Sequence, residues 1–375
     1  MEERPTDQPT ITEAAKQLVD DYTLKTRKKT EVQAGKLQLG LRIRQAVEGA
    51  NRKFWYGLFR KWFNNPTSFD RIPIADLKSI CLIPYGDAIG DLIVALPICR
   101  AIKRRNRACK IGIIVSHRNE ALLRCDPDID EKYLFRDRLD VTHYSEIVRA
   151  RKEKYQIVLV MRFDRMTEFA LLANIISPKG IKLTTSHARK DLYQILFNYI
   201  GPFRRHTTHL SQLGLLLLNS AIDFGKPVKQ WESRPTLTIC EDARAKVNTQ
   251  IKALLAETGA TWFIYFNIQA RNPFREWGTA NIAEFSRRFA ERYPDAAIFF
   301  TASPVRHKEV KKEIDGKVFK SAKFFNTTYD LLEIGALAEA SRLVITPDTS
   351  VLHFGIAMER PTLTFWPHND NLPLE

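Results

Sequence analysis

Short, largely apolar runs alternate with helical patterns twice along this chain, and that alternation restricts the fold more than any other feature. A run apolar at every position cannot line a sheet with one wet face. It needs cover on both sides, which parallel strands with crossover helices provide. In the first series residues 79–84, 110–116 and 156–160 read as strands. Residues 92–105, 167–176, 192–200 and 210–218 read as helices, with another starting at 118–124. The series breaks at Gly225-Lys226-Pro227 and Ser233-Arg234-Pro235, a linker by composition. It then restarts, with strands at 262–266, 297–300, 342–345 and 361–365 and helices at 280–292, 305–314, 331–340 and 351–358. A length of 375 residues suits two such cores and an extension. The expectation is an α/β protein with two doubly wound domains, residues 78–225 and 236–375. Its ligand site is expected in the cleft between them, at the carboxyl ends of the strands.

Residues 1–70 have no strand-like run and read as a helical extension. Between Lys25 and Lys61 stand eleven Lys or Arg residues and only two acids, Glu31 and Glu48. Phe54-Trp55-Tyr56-Gly57-Leu58-Phe59-Arg60-Lys61-Trp62-Phe63 interleaves rings with cations. That pattern suits an anionic membrane interface, and equally an arm packing its rings onto the body. The whole chain carries a net charge of +15, which nucleic acid, an anionic membrane or an anionic substrate would each complement. The polar, acidic start lacks the signal-peptide pattern. Apolar runs such as 213–218 fall far below the roughly 20 residues of a membrane span. Cys81, Cys99, Cys109, Cys125 and Cys240 show no C-x-x-C and no metal-ligand spacing, and read as buried free thiols. A cytoplasmic protein is expected.

Three loops at expected strand ends carry the chemistry. The first is Ile83-Pro84-Tyr85-Gly86-Asp87-Ala88-Ile89-Gly90-Asp91, where Gly86 and Gly90 permit tight turns or close approach of a ligand. Asp91, at the mouth of the next helix, is placed to take a proton from an attacking hydroxyl or simply to charge the helix start. The G-x-G-x-x-G of nicotinamide dinucleotide sites is missing. The second is Asn267-Ile268-Gln269-Ala270-Arg271-Asn272-Pro273-Phe274-Arg275-Glu276-Trp277. There Asn267, Gln269, Arg271 and Arg275 can hold phosphate, arginine through paired donors. The third is Thr346-Pro347-Asp348-Thr349-Ser350-Val351-Leu352-His353. Asp348, Thr349 or Ser350 caps a helix whose first amides suit a pyrophosphate, and His353 falls in its first turn. Taken alone, the third loop is equally a plain capped helix with a structural histidine.

In this order the three loops resemble the ADP-heptose:lipopolysaccharide heptosyltransferases, glycosyltransferase family 9. Gly90-Asp91-x-x-x-x-Leu96-Pro97 resembles the family's G-D-x-x-x-x-x-P motif, and Arg275-Glu276-Trp277 its basic-x-Trp motif. Thr346-Pro347-Asp348-Thr349-Ser350-x-x-His353-x-x-x-Ala357-x-x-x-Pro361 resembles its D-T-G-x-x-H-x-x-x-A pattern, with Ser350 in place of the glycine. His206-Thr207-Thr208-His209 through Leu218 looks like the family's helix before the linker. The likeness covers residues 78–370.

The resemblance implies the GT-B fold, two facing Rossmann-like domains, here with an N-terminal helical extension. It implies an inverting, metal-independent displacement at an anomeric carbon, with no cofactor. Asp91 would be the base. Arg275 and the amides of Thr349 and Ser350 would hold the leaving diphosphate, with Asp348 and His353 near the donor sugar. The implied donor is ADP-heptose, and the implied acceptor a lipid-linked saccharide of the lipopolysaccharide core, met by Arg162 and Arg165. The implied location is peripheral, on the inner face of the inner membrane. The iron-binding cysteine cluster of protein-modifying heptosyltransferases does not appear. Rival readings are a transferase of another nucleotide sugar for capsule or O-antigen, a non-catalytic sugar-nucleotide binder, and a nucleic-acid binder. With no nucleic-acid module in view, nucleic acid is not the expected partner. The last expected strand stands ten residues before Glu375, where the family continues into further helices. The closing helix is therefore expected beyond this sequence or from the extension.

Overall fold

The computed structural model describes residues 65–366 apart from 136–140, 164–165, 186–193, 204–207, 303–307, 309–319 and 327–329, together with 49–50, 54–55, 57 and 59–63. The chain forms two compact units, Met1–Asn64 and Asn65–Glu375. In the first, residues 54, 55, 57 and 59 are helical. Trp55 stacks on Phe59 at 6.0 Å, while Phe54, Trp55 and Trp62 remain exposed.

The second unit holds two parallel sheets. Its elements run β1 (Ile72–Pro73), β2 (Ser79–Ile83), α1 (Ile89–Arg105), β3 (Lys110–Val115), β4 (Glu131–Leu134), α2 (Tyr144–Lys152), β5 (Ile157–Val160), α3 (Met166–Ile176), β6 (Ile181–Thr185), β7 (Tyr199–Gly201), α4 (Leu210–Leu218) and β8 (Ile222–Asp223). There follow α5 (Glu241–Thr258), β9 (Trp262–Asn267), α6 (Thr279–Arg292), β10 (Ala296–Thr301), β11 (Ala322–Phe324), α7 (Leu331–Ala340), β12 (Val344–Pro347), α8 (Ser350–Ala357) and β13 (Thr362–Phe365). Six strands form the sheet β4-β3-β2-β5-β6-β7 and five form β11-β10-β9-β12-β13; β1 and β8 pair separately. In each large sheet the strand order reverses beside the first strand, β2 or β9, and that reversal opens a crevice at the carboxyl ends.

The apolar runs explain the layers. In β9, Phe263 and Tyr265 face one buried cluster, while Ile264 and Phe266 face another. In β10, Ala297 and Phe299 alternate in the same way with Ile298 and Phe300. Each large side chain so buried contributes about 1.5–3 kcal/mol, and both faces need helices over them. α1 suits its dipole, with Asp91 in its first turn and Lys103, Arg104 and Arg105 in its last. No helix among the described residues is long and apolar enough to cross a membrane.

Several expectations are corrected. Residues 194–201 form a 3₁₀ turn and the edge strand β7, paired parallel to β6, not a helix. Near 118–124 only a single 3₁₀ turn forms, Glu120–Leu123. The expected helix at 305–314 falls, apart from residue 308, outside the described residues. Cys81, Cys99 and Cys109 are buried and free, but Cys125 and Cys240 form a disulfide, with 5.6 Å between their Cα atoms. Their separation of 115 residues conceals the pair in sequence. The fold brings the β3–β4 connection against the start of α5.

Candidate active site

The first wall of the cleft is the turn from β2 into α1. Asn119, 1% exposed, steadies it by donating Nδ2 to the carbonyls of Asp87 (3.3 Å) and Ala88 (3.4 Å). Arg118 pairs with the Asp87 carboxylate at 3.0 Å. Gly86 is glycine for a local reason: a Cβ there would overlap the Asp91 carboxylate, which folds back over the loop. Burial pushes the Asp91 carboxyl above its ordinary range. A hydrogen bond from the Ala88 backbone and the charges of His353 and Arg162 pull the other way. A cavity of about 210 Å³ opens beside it, lined by Tyr85, Asp87, Asp91, Arg162, Phe163 and Leu210 among others. The Tyr85 and Phe163 rings lie 5.9 Å apart, and Arg162, itself buried, stands over Phe169 at 5.1 Å. Arg165 lies outside the described residues.

The second wall comes from the ends of β9 and β12. Buried Asn267 donates Nδ2 to Thr346 Oγ1 and Thr349 Oγ1, both at 3.1 Å, and to the Gln269 carbonyl at 3.0 Å. Its amide therefore ties the two loops together. Of the three possible caps, Thr349 is the one used: its Oγ1 accepts from Val351 N at 3.2 Å, and Ser350 opens α8. Arg275 pairs with Asp348 at 2.7 Å. Gln269 is half-buried and Arg271 is exposed.

The two walls meet. α1 and α8 pack with their amino-terminal turns together, and a Cβ on Gly90 would overlap the His353 ring. Burial holds His353 below the ordinary imidazole range, against the pull of Asp91 and Asp348. His209 adds a further push downward; it caps α4 by accepting from Ser211 N at 3.3 Å. The result is a carboxylate made more basic by burial, facing a positive helix end with an arginine and an imidazole whose charged form burial disfavours. Such a pair of walls can take a proton on one side and receive developing negative charge on the other.

The sequence profile of glycosyltransferase family 9 (heptosyltransferase) matches residues 143–372. The chain belongs to that family. It is a glycosyltransferase, similar to lipopolysaccharide heptosyltransferase 1 of Campylobacter coli, with 21% identity over 290 residues, 74% of this chain and 81% of that one. Among solved structures it resembles the family 9 glycosyl transferase of Veillonella parvula (TM-score 0.65, 18% identity, 81% of this chain and 84% of that one). It also resembles the E. coli heptosyltransferase WaaC with ADP-2-deoxy-2-fluoro heptose (TM-score 0.58, 15% identity, 78% and 91%). These likenesses show the fold: GT-B, two facing Rossmann-like domains.

In this family 9 chain, Tyr85, Phe163, His209 and Leu210 stand at the site without a sequence pattern that marks them as site residues. Tyr85 sits inside the quoted glycine loop. Its neighbours at the cavity come from the segment after β5 and the start of α4, and only the fold brings them there.

Proposed function

We propose that this glycosyltransferase moves heptose from ADP-heptose to a lipopolysaccharide core acceptor, with inversion and without a metal. The observation that carries the reading is the opposition of Asp91 to the Arg275–Asp348 pair and the α8 terminus, with a sugar-sized cavity beside Asp91. The acceptor hydroxyl lies in that cavity, with Arg162 toward its anionic groups. Asp91 takes the hydroxyl proton as the oxygen attacks the anomeric carbon. The bond from that carbon to the diphosphate breaks on the opposite face, so the configuration inverts. Charge growing on the diphosphate falls on Arg275 and on the amino end of α8. Mass-detected transfer from a panel of ADP-, UDP- and GDP-sugars onto truncated lipopolysaccharide tests the reading. No heptose adduct, or preference for another sugar, would overturn it.

Arg275 gives a separate prediction. A charge-assisted contact to phosphate contributes about 1.5–3 kcal/mol when buried, and Arg275 is half-exposed. Arg275→Ala should therefore weaken ADP binding by about tenfold in calorimetry, and EDTA should leave the rate of the parent enzyme unchanged. Unaltered ADP affinity would remove Arg275 from the donor site.

The membrane is the proposed place of action. The exposed Phe54, Trp55 and Trp62, among eleven cations from Lys25 to Lys61, suit an anionic lipid surface. Flotation with phosphatidylglycerol-containing vesicles should capture the full chain, and its loss on Trp55→Ala/Trp62→Ala should be most of the bound fraction. Equal flotation on neutral vesicles would count against the charge argument.

A further inference from the structure

The Cys125–Cys240 disulfide joins the two halves of the cleft. Cys125 is exposed and follows the 3₁₀ turn Glu120–Leu123, between β3 and β4 of the first sheet. Cys240 is buried at the amino end of α5, the helix that leads into the second sheet. Arg124, beside Cys125, reaches Asp242 on α5 and Asp330 at the cap of α7, each at 3.0 Å. Its Nε–H lies 3.4 Å from Cys240 Sγ. The next residue, Asp126, is held by buried Arg100 at 2.5 and 2.6 Å. Arg100 in turn reaches Thr236 (3.4 Å) and Thr238 (3.3 Å) beyond the linker. One short segment of the first half is thus fastened to the amino ends of two helices of the second by a covalent bond and two ion pairs.

We propose that Cys125–Cys240 is a reversible thiol–disulfide site for a small thiol of the glutathione class, and that its state sets how firmly the two halves stay docked. The inference rests on the reading of the cleft as the transfer site. Cys125 is the sulfur a small thiolate can reach. Attack there breaks the S–S bond and forms a mixed disulfide on Cys125. Cys240 leaves as a thiolate at a helix amino end, beside the Arg124 guanidinium. A second small thiolate attacks the small-molecule sulfur of the mixed disulfide and releases the Cys125 thiolate. In sum, one protein disulfide and two small thiols give two protein thiols and one small disulfide; oxidation by the small disulfide runs the same steps backward. Asp242 lies close enough to both sulfurs for the three to meet a metal ion, but the Arg124 charge at Cys240 opposes a cation there.

The test uses the full chain equilibrated in oxidised or in reduced glutathione. After acid quenching, each sample is denatured, alkylated with N-ethylmaleimide and weighed by mass spectrometry. Three labels are expected from the oxidised sample, one each on Cys81, Cys99 and Cys109, and labels on all five cysteines from the reduced sample. Small-angle scattering should show a radius of gyration unaffected by ADP when oxidised, and one that shrinks on adding ADP when reduced. Turnover should differ between the two forms by about fivefold, reversibly, the low end of a linkage between two sites. The Cys125→Ser/Cys240→Ser variant should scatter as the reduced form does in either buffer. If that variant fails to fold, the wild-type redox titration still decides. All five cysteines labelled after oxidation, identical scattering in both states, or stoichiometric zinc binding by the reduced protein would each overturn the proposal. Labelling and scattering need no sugar donor, so their failure is distinct from failure of the transferase reading, which would show as no transfer in either state.

Discussion

Asp91→Asn should lower transfer by about 10²–10⁴-fold, the usual contribution of a positioned general base. ADP affinity should stay close to that of the parent, because Asp91 stands on the wall opposite Arg275 and α8. The pH profile gives a second readout. Burial raises the Asp91 carboxyl above its ordinary value, so kcat/KM of the parent should fall on an acid limb lying above the usual aspartate range of about 3.9. In the Asn variant that limb should vanish along with the rate. Stability moves in the opposite sense. A group whose folded pKa is raised adds stability in full below its unfolded pKa, and that contribution is lost as pH rises through the folded value. At neutral pH the buried carboxylate therefore opposes folding, and Asp91→Asn should raise the Tm. The gain should shrink as the buffer is taken into the carboxylate range, where the parent is protonated too. A variant with parental turnover would remove Asp91 from the chemistry. A slow variant with a lowered Tm would point to a structural role instead.

The elements visible in sequence are those that carry their own apolar signal. β2, β5, β9 and β10 are buried along almost their whole length, and continuous apolar runs announce them. β6 reads Ile-Lys-Leu-Thr-Thr, and its Lys182 is 1% exposed. That lysine is held by Asn65 Oδ1 and the Pro178 carbonyl, both at 2.9 Å, and such a buried polar strand looks like a loop until its partners are known. α5 escaped because only Ala243, Val247 and Ile251 of its eighteen residues are buried. The same division runs through the site. Asp91, Arg275 and Asp348-Thr349-Ser350 stand where a strand hands over to a helix, a position that local pattern can mark. The seating of His353 on Gly90, the approach of His209 and the Cys125–Cys240 bond depend on how one half of the unit lies on the other. No local pattern encodes that.

The Gly90–His353 contact supports the second large effect. Gly90 is buried in the first turn of α1, outside the left-handed region, so its backbone does not require glycine. In a helix, alanine is favoured over glycine by up to about 1 kcal/mol. Judged on the helix alone, Gly90→Ala should stabilise the protein. The obstacle is the ring of His353, which occupies the space a Cβ would take. That ring belongs to α8, whose amino end is the proposed donor wall, while Gly90 precedes the proposed base. A methyl group between them must turn the ring aside or part the two walls, and a misplacement of about 1 Å at a reacting centre can cost about 10²-fold in rate. Gly90→Ala should therefore lower kcat/KM by about that factor, with a Tm no higher than the parent's, because the overpacking cost of about 1–3 kcal/mol offsets the helix gain. In a double-mutant cycle, adding Gly90→Ala to His353→Ala should cost little more than His353→Ala alone, because the ring that clashes is gone. Full activity in Gly90→Ala, or losses that simply add in the double variant, would show that the two walls need not touch for transfer. If the losses do not add, the glycine of the Gly90-Asp91 pair serves the opposite domain: it leaves room for His353 so that Asp91 and the donor's diphosphate can be brought to the same sugar.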